Sequence, residues 1–208
     1  MRPESPRDET LLVRRAQAGD VTAFEALYRA HLGRIHALCL RMTGDRATAD
    51  RVWIIDPLDG TSEFASGTAD WAVHVALTEH GSVVASAVSL PATGELFRSD
   101  SVVPPGGPLS GVMAASKYGG SYESTWVARR LQLSMRDIGS AGAKAMAVVR
   151  GTADAYVHAG GQYEWDNCAP VGVALAAGLH CSRLDGSAIV YNQPRPYMPD
   201  FVICRSEI

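Results

Sequence analysis

The amino-acid sequence predicts an α-helical hairpin over residues 1–50, followed by a layered α/β domain over residues 51–208. Two observations support this division. Before residue 44, apolar residues recur at steps of three and four, which is typical of helices. After residue 51, short runs rich in β-branched residues alternate with segments rich in alanine and glycine. Such alternation of strands and helices indicates stacked layers of sheet and helix.

The overall composition is that of an ordinary soluble globular protein. The 208 residues are 47% hydrophobic and 20% charged, with a formal net charge of -3. A chain with this charge has no global basic field that would attract nucleic acid. The N-terminus is polar, and no stretch approaches the about 20 apolar residues that span a bilayer. We therefore expect a cytoplasmic protein without a membrane partner.

The first fifty residues carry the apolar stripe of a helical hairpin. Thr22 and Glu25 have the spacing of a capping box, so we expect a helix to begin at Thr22. Gly44 is expected to end the helical run. The stripe consists of Phe24, Leu27, Tyr28, Leu32, Ile35, Leu38, Cys39 and Met42.

A strand and a metal-binding turn are predicted next. The run "RVWII" at residues 51–55 is continuous and apolar, as expected for a buried strand. It leads into "DPLDGT", in which a proline stiffens the turn between Asp56 and Asp59. Such a turn can present both carboxylates and the Leu58 carbonyl to one point, and hard divalent cations prefer oxygen ligands. The alternative is an Asp-rich turn whose side chains only bond to its own backbone.

The residues that follow this turn are suited to an anion. Gly60 and Thr61 supply backbone N–H groups and a hydroxyl, which could bind a phosphate oxygen or orient an attacking water. Further on, "YEWDNCAP" places Asp166 at the start of a helix. An aspartate there can be a helix cap or an additional metal ligand.

The remaining segments supply the strands and helices of the layers. The predicted order is a β-hairpin, a strand, a helix, a second helix followed by a strand, and a closing hairpin with an Asp-Gly turn. These elements are assigned to residues 71–90, 111–116, 122–133, 139–159 and 181–192, with the Asp166 helix at 163–178 between the last two.

Two motifs in this order resemble a known superfamily. "WIIDPLDGTSEF" and "EWDNCAP" are similar to the signatures of the lithium-sensitive, magnesium-dependent phosphomonoesterases, which include inositol monophosphatase, fructose-1,6-bisphosphatase and the 3'(2'),5'-bisphosphate nucleotidases. The resemblance covers residues 51–208 and implies a sandwich of the sugar-phosphatase type. Lys144 in "GSAGAKAM", with "YNQPRPYMPDFVIC", resembles the nucleotidase branch that acts on 3'-phosphoadenosine 5'-phosphate.

The resemblance implies a cofactor, a site and a reaction. Mg²⁺ would be the cofactor, and its four ligands would be Asp56, Leu58 through its carbonyl, Asp59 and Asp166. Four positions would bind substrate: Gly60, Thr61, Ser140 and Lys144. The catalytic residues would be Asp56, Asp59, Thr61 and Asp166. The reaction would release phosphate and AMP, with inositol or sugar phosphates as other substrates. A small phosphorylated metabolite is the expected partner, and the sequence leaves a homodimer open.

The same resemblance also implies a Glu-Glu motif that this sequence lacks. The family places a Glu-Glu pair before the DPxDGT motif, and one of these glutamates binds metal, but the chain contains no Glu-Glu. We therefore expect an N-terminally truncated phosphatase domain with weak or no activity. Truncation would also leave apolar surface and sheet edges of the first sheet exposed.

Residues 1–50 resemble a different family. The string "LLVRRAQAGDVTAFEALYRAHLGRIHALCLRMTGD" is similar to the start of region 2 of extracytoplasmic-function sigma factors. The similarity stops near residue 50, before the parts that bind polymerase and DNA, so neither nucleic acid nor RNA polymerase is expected as a partner. A sigma-like fragment that binds RNA polymerase, or a chimera without function, are the alternatives to the phosphatase hypothesis.

Overall fold

The structure is a computed structural model that describes residues 51–117 and 120–208, together with 11, 12, 15, 20, 22, 23 and 26. The chain divides into two compact units, Met1–Asp50 and Arg51–Ile208. None of the described helices is long and apolar enough to cross a membrane. Most of the predicted hairpin, including its apolar stripe and Gly44, lies outside the described residues.

In the first unit, a helix begins at a different cap from the predicted one. Thr22 and Ala23 are already helical. The Asp20 carboxylate accepts hydrogen bonds from the Thr22 hydroxyl at 2.6 Å and from the Ala23 N–H at 3.1 Å. Asp20 is therefore the cap, because its side chain satisfies an N–H of the first turn that has no partner within the helix. Glu25, the other half of the predicted capping box, lies outside the described residues.

The second unit begins with an antiparallel sheet of four strands in chain order. The strands are β1 (Arg51–Asp59), β2 (Ala72–Glu79), β3 (Ser82–Leu90) and β4 (Glu95–Arg98), and the short helix α1 (Thr61–Ala65) follows β1. The predicted hairpin is confirmed as β2 and β3. Its turn residues, His80 and Gly81, have φ values of 50° and 79°, which suit the twist of a two-residue hairpin.

Strand β1 is half-buried, so the expectation of a fully buried strand is wrong. Trp53 and Ile55 are 61% and 50% exposed, while Asp56 on the opposite face is buried. The reason is the period of two in a strand, which directs alternate side chains to opposite faces of the sheet. The continuous apolar run therefore places large side chains on both faces, in keeping with the predicted exposure of apolar surface on this sheet.

A five-stranded mixed sheet forms the second half of the unit, in the order β6-β5-β7-β9-β8. Strand β5 is parallel to β6 and β7, and the other pairs are antiparallel. Its strands are β5 (Val112–Ala115), β6 (Ser134–Asp137), β7 (Ala155–Tyr163), β8 (His180–Ser182) and β9 (Tyr197–Cys204). The helices are α2 (Tyr122–Arg130), α3 (Ala141–Val149) and α4 (Glu164–Ala176), close to their predicted positions.

Helices α3 and α4 pack into the main core with residues of both sheets. All nine residues of α3 are buried, and the main hydrophobic cluster joins α3 and α4 to Val88 of β3 and Phe201 of β9. Many of the helical residues are alanine or glycine, which lets the backbones approach closely. A smaller cluster lies between α2 and the second sheet. The first residues of α3 and α4 both lie close to Asp59 at the end of β1.

The predicted closing hairpin at residues 181–192 is wrong. The turn exists, with Gly186 at φ 83°, but β8 pairs with β9 instead of with the residues after the turn. The backbone of that segment bonds elsewhere: the Tyr191 N–H donates to the Gly81 carbonyl. The N–H groups of Asn192 and Gln193 donate to the buried Glu164 carboxylate at 2.8 and 2.9 Å.

We expect Asp154→Ala to destabilise the second unit. Asp154 is fully buried, and its carboxylate accepts hydrogen bonds from Ser110 N–H at 2.8 Å and Gly111 N–H at 2.6 Å. Loss of a buried acceptor that leaves donors unpaired should lower the free energy of unfolding by about 2 kcal/mol. Asp185→Ala is the control, because Asp185 accepts from Ser187 N–H in an exposed turn and should change little. Equal losses in urea unfolding would contradict this account.

Candidate active site

A bulge in β1 brings two aspartates to the same face of the first sheet. Asp56 pairs with His74 and Asp59 pairs with Ala72, so three steps along β1 match two steps along β2. Strand β1 therefore contains one extra residue between the two aspartates. In a regular strand, side chains three positions apart point to opposite faces. Both carboxylates instead point inward, with Asp56 8% and Asp59 7% exposed. Pro57 lies inside the bulge, where its missing N–H leaves no donor unsatisfied.

The Asp59 carboxylate is held by the start of α3. It accepts hydrogen bonds from the N–H of Ala141 at 3.2 Å and of Gly142 at 2.6 Å. Backbone N–H groups at a helix N-terminus favour a negative charge. Burial raises the pKa of Asp59, but His74 and the Gly142 N–H lower it by more, so the pKa of Asp59 lies below its usual range. Asp59 is therefore held in its ionised form.

Asp166 lies in the first turn of α4. One of its oxygens accepts a hydrogen bond from the Tyr163 N–H at 2.7 Å, so Asp166 does cap its helix, as one of the sequence alternatives proposed. Burial is the main cause that raises its pKa to about 7, and the nearby Asp59 and Asp56 raise it further. Burial likewise raises the pKa of Asp56. The protein groups around Asp56 and Asp166 therefore stabilise the negative charge of these carboxylates only weakly.

Ligand atoms of Asp56, Asp59 and Asp166 all lie within 4.8 Å of one another. Leu58 lies between the first two, and its N–H donates to an Asp56 oxygen at 2.9 Å. Two of these carboxylates are buried and that of Asp166 is partly buried. A cation would stabilise their ionised forms, and oxygen donors suit hard divalent ions. The donor set therefore fits Mg²⁺.

Gly60 and Thr61 follow Asp59 directly and start helix α1. Gly60 has a φ of 87°, a left-handed conformation that glycine adopts without strain. A Cβ at Gly60 would lie 2.9 Å from the Ser140 Cβ. The two predicted substrate-binding segments, after β1 and before α3, are therefore adjacent.

Ser140 and Lys144 belong to the start of α3. The Ser140 hydroxyl caps this helix by accepting a hydrogen bond from the Ala143 N–H at 2.9 Å, and its φ is 32°. The Lys144 side chain is buried, and its Nζ donates to the Gly139 carbonyl at 3.1 Å. Burial lowers the pKa of Lys144, although Asp59 and two other carboxylates partly offset this effect. The ammonium group has three N–H donors, so it can bond to this carbonyl and still offer a donor to a substrate.

Two buried polar residues near the cluster were not identified from the sequence. Glu63 lies beneath Gly60 and Gly139, since a Cβ at Gly139 would lie 2.3 Å from its Cγ. His74 has an Nε2 atom 3.2 Å from an Asp59 oxygen, although the contact is not a well-aligned hydrogen bond. The sequence did contain a signal for the burial of His74. In the alternating pattern of β2 it shares a face with Ala72 and Ala76, which are apolar and buried.

The chain matches the model of a known family. The inositol monophosphatase family matches the chain over residues 25–103 and 111–207. The chain therefore belongs to the inositol monophosphatase family. The match includes part of the segment that resembles a sigma factor, but it does not test that resemblance, which stays a prediction.

One relative belongs to the nucleotidase branch. The chain is 50% identical over 174 residues to the 3'-phosphoadenosine 5'-phosphate phosphatase of Mycobacterium bovis. The alignment covers 78% of this chain and 65% of that protein. The chain thus spans about two thirds of the length of this relative.

Solved structures confirm the predicted fold class of the second unit. CysQ from Bacteroides thetaiotaomicron has a TM-score of 0.67 at 22% identity, over 75% of this chain and 70% of that chain. An inositol monophosphatase/NADP phosphatase that was solved with Mg²⁺ and phosphate has a TM-score of 0.62 at 21% identity, over 76% of this chain and 63% of that chain.

The raised pKa of Asp166 predicts that the metal-free chain loses stability as the pH rises from about 4 to about 7. In this window the folded state keeps a proton on Asp166 that the unfolded state has released, so a higher pH favours unfolding. The contribution of this carboxyl becomes constant above its folded pKa. Thermal unfolding in EDTA across this pH range should decline less steeply for Asp166→Asn. Identical profiles for the two proteins would contradict the assignment.

Proposed function

We propose that this chain carries the catalytic part of a Mg²⁺-dependent phosphomonoesterase that removes the 3'-phosphate of 3'-phosphoadenosine 5'-phosphate. AMP and inorganic phosphate would be the products. The observation that carries the proposal is the convergence of ligand atoms of Asp56, Asp59 and Asp166 within 4.8 Å of one another. The name of the Mycobacterium bovis relative, at 50% identity, supports the choice of substrate.

In this proposal the three carboxylates and the Leu58 carbonyl hold Mg²⁺. The bound ion supplies positive charge to the phosphate and lowers the pKa of water. The chain's own contribution is to fix the ligands before substrate arrives. The backbone bonds to Asp56, Asp59 and Asp166 support this role, because a carboxylate that is already oriented loses little freedom when it binds.

Gly60 and Thr61 are proposed to hold the transferred phosphate. Their position immediately after Asp59 supports a place beside the ion, and the Thr61 hydroxyl is suited to orient the attacking water. Ser140 is proposed to line the substrate side, since it is adjacent to Gly60. Lys144 is proposed to attract the second phosphate of the substrate by its positive charge, while one of its N–H groups stays bonded to the Gly139 carbonyl.

The expected activity of the chain alone is weak. The carboxylate cluster within the described residues consists of three aspartates. The resemblance implies a further glutamate ligand from a Glu-Glu pair, and the chain contains no Glu-Glu. Loss of one positioned charge costs roughly 100-fold or more in rate. The alternatives of a fragment that binds RNA polymerase, or of a chimera without function, gain no support from the relatives.

We expect the purified chain to hydrolyse 3'-phosphoadenosine 5'-phosphate with Mg²⁺ at a kcat below about 1 s⁻¹. Phosphate release should be compared with that from inositol 1-phosphate, which lacks the second phosphate. Faster turnover of the nucleotide would support the proposed specificity. A kcat well above this value would show that the chain needs no further carboxylate.

We expect Asp56→Asn to abolish any measurable activity and to weaken Mg²⁺ binding. Asparagine keeps the shape of the side chain but removes one of the buried charges that attract the ion. The matched control is Asp185→Asn, an equivalent change in an exposed turn. The two variants should be assayed for phosphate release and for Mg²⁺ binding by calorimetry. Unchanged activity in Asp56→Asn would mean that the metal site is misassigned.

A further inference from the structure

His74 connects two segments of the candidate site. It lies on β2 opposite Asp56, on the inner face of the first sheet, and its side chain has no exposed surface. Its Nδ1 atom is 3.1 Å from the Trp165 carbonyl oxygen in the first turn of α4. Its Nε2 atom is 3.2 Å from an Asp59 oxygen at the end of β1. One imidazole ring therefore contacts both segments that carry the clustered carboxylates.

The surroundings of His74 favour a role beyond packing. A buried imidazole is costly unless its nitrogens find partners, and an apolar side chain would fill the same space without that cost. The neighbouring inward residues of β2, Ala72 and Ala76, are apolar. Helix α3 also leaves room for the ring: a Cβ at Gly142 would lie 2.2 Å from Nε2. The ring is thus confined between α3 and the two segments that it contacts.

We propose that His74 is a positioning residue, which holds Asp59 and the first turn of α4 in the relative arrangement that cation binding requires. The inference rests on the proposed function. Nδ1 donates to a carbonyl that cannot itself donate, which fixes the orientation of the ring. Nε2 then lies 3.2 Å from an Asp59 oxygen, a close contact without good hydrogen-bond alignment. The ring thereby links the turn after β1 to the helix that carries Asp166, and both ligand segments become one unit.

The test is the affinity of the full chain for Mg²⁺, measured by isothermal titration calorimetry without substrate. We expect His74→Leu to weaken Mg²⁺ binding by about 10-fold or more, the usual effect of removing a partner that orients a metal ligand. His74→Gln keeps an N–H donor that can reach Asp59, and it should restore the affinity to within about 3-fold of the unsubstituted chain.

A control separates positioning from loss of stability. Val88 lies opposite His74 on β3 and is also fully buried, but it is apolar. Val88→Ala should lower the melting temperature through the cavity that it leaves. It should leave the affinity for Mg²⁺ unchanged, because it removes no contact with a carboxylate.

The outcomes distinguish the two proposals. Mg²⁺ binding that is equal in His74→Leu and the unsubstituted chain, or no recovery in His74→Gln, would overturn the role of His74 and leave the proposed function intact. Tighter binding in both variants would overturn it too, by showing that the ring acts only as a competing positive charge. Absence of Mg²⁺ binding in the unsubstituted chain would overturn both proposals.

Discussion

The hydrogen bonds between the Asp59 carboxylate and the first N–H groups of α3 are the interaction on which the candidate site depends. They attach the end of β1 in the first sheet to a helix that is buried along its whole length. The bulge before Asp59 makes these bonds possible, because it turns the side chain to the inner face. Without the bulge, Asp56 and Asp59 would face opposite sides of the sheet, and Asp166 could not have both of them as neighbours in one cluster.

This arrangement brings three carboxyl groups together where the access of solvent is reduced, since Asp56 and Asp59 are buried and Asp166 is partly buried. Asp59 is compensated by backbone donors and His74, but burial raises the pKa of Asp56 and Asp166. Such a carboxylate cluster lowers the stability of the fold, and clusters of this kind often mark functional sites. A bound cation would offset this cost by stabilising the ionised carboxylates.

The sequence predicted the three carboxylates but not the contacts that hold them. Asp56 and Asp59 lie in one short motif and Asp166 at a helix start, which are local features, and the resemblance of both motifs to a family grouped the three as ligands. The bulge, the bonds from α3 and the contact of His74 with α4 depend on pairing between distant segments. Pairing between distant segments also explains why the predicted hairpin around Gly186 is wrong. Its turn is a local feature, but the residues after the turn bond to Glu164 and Gly81, which are far away in the sequence.

The most direct test of the central claim, that Asp56, Asp59 and Asp166 form one cation site, is a crystal structure of the chain grown with Mn²⁺. Manganese accepts the same oxygen ligands as magnesium, and its anomalous signal identifies its position. We predict an anomalous peak within bonding distance of oxygens from all three aspartates. A peak elsewhere on the chain, or an empty cluster at saturating Mn²⁺, would contradict the account.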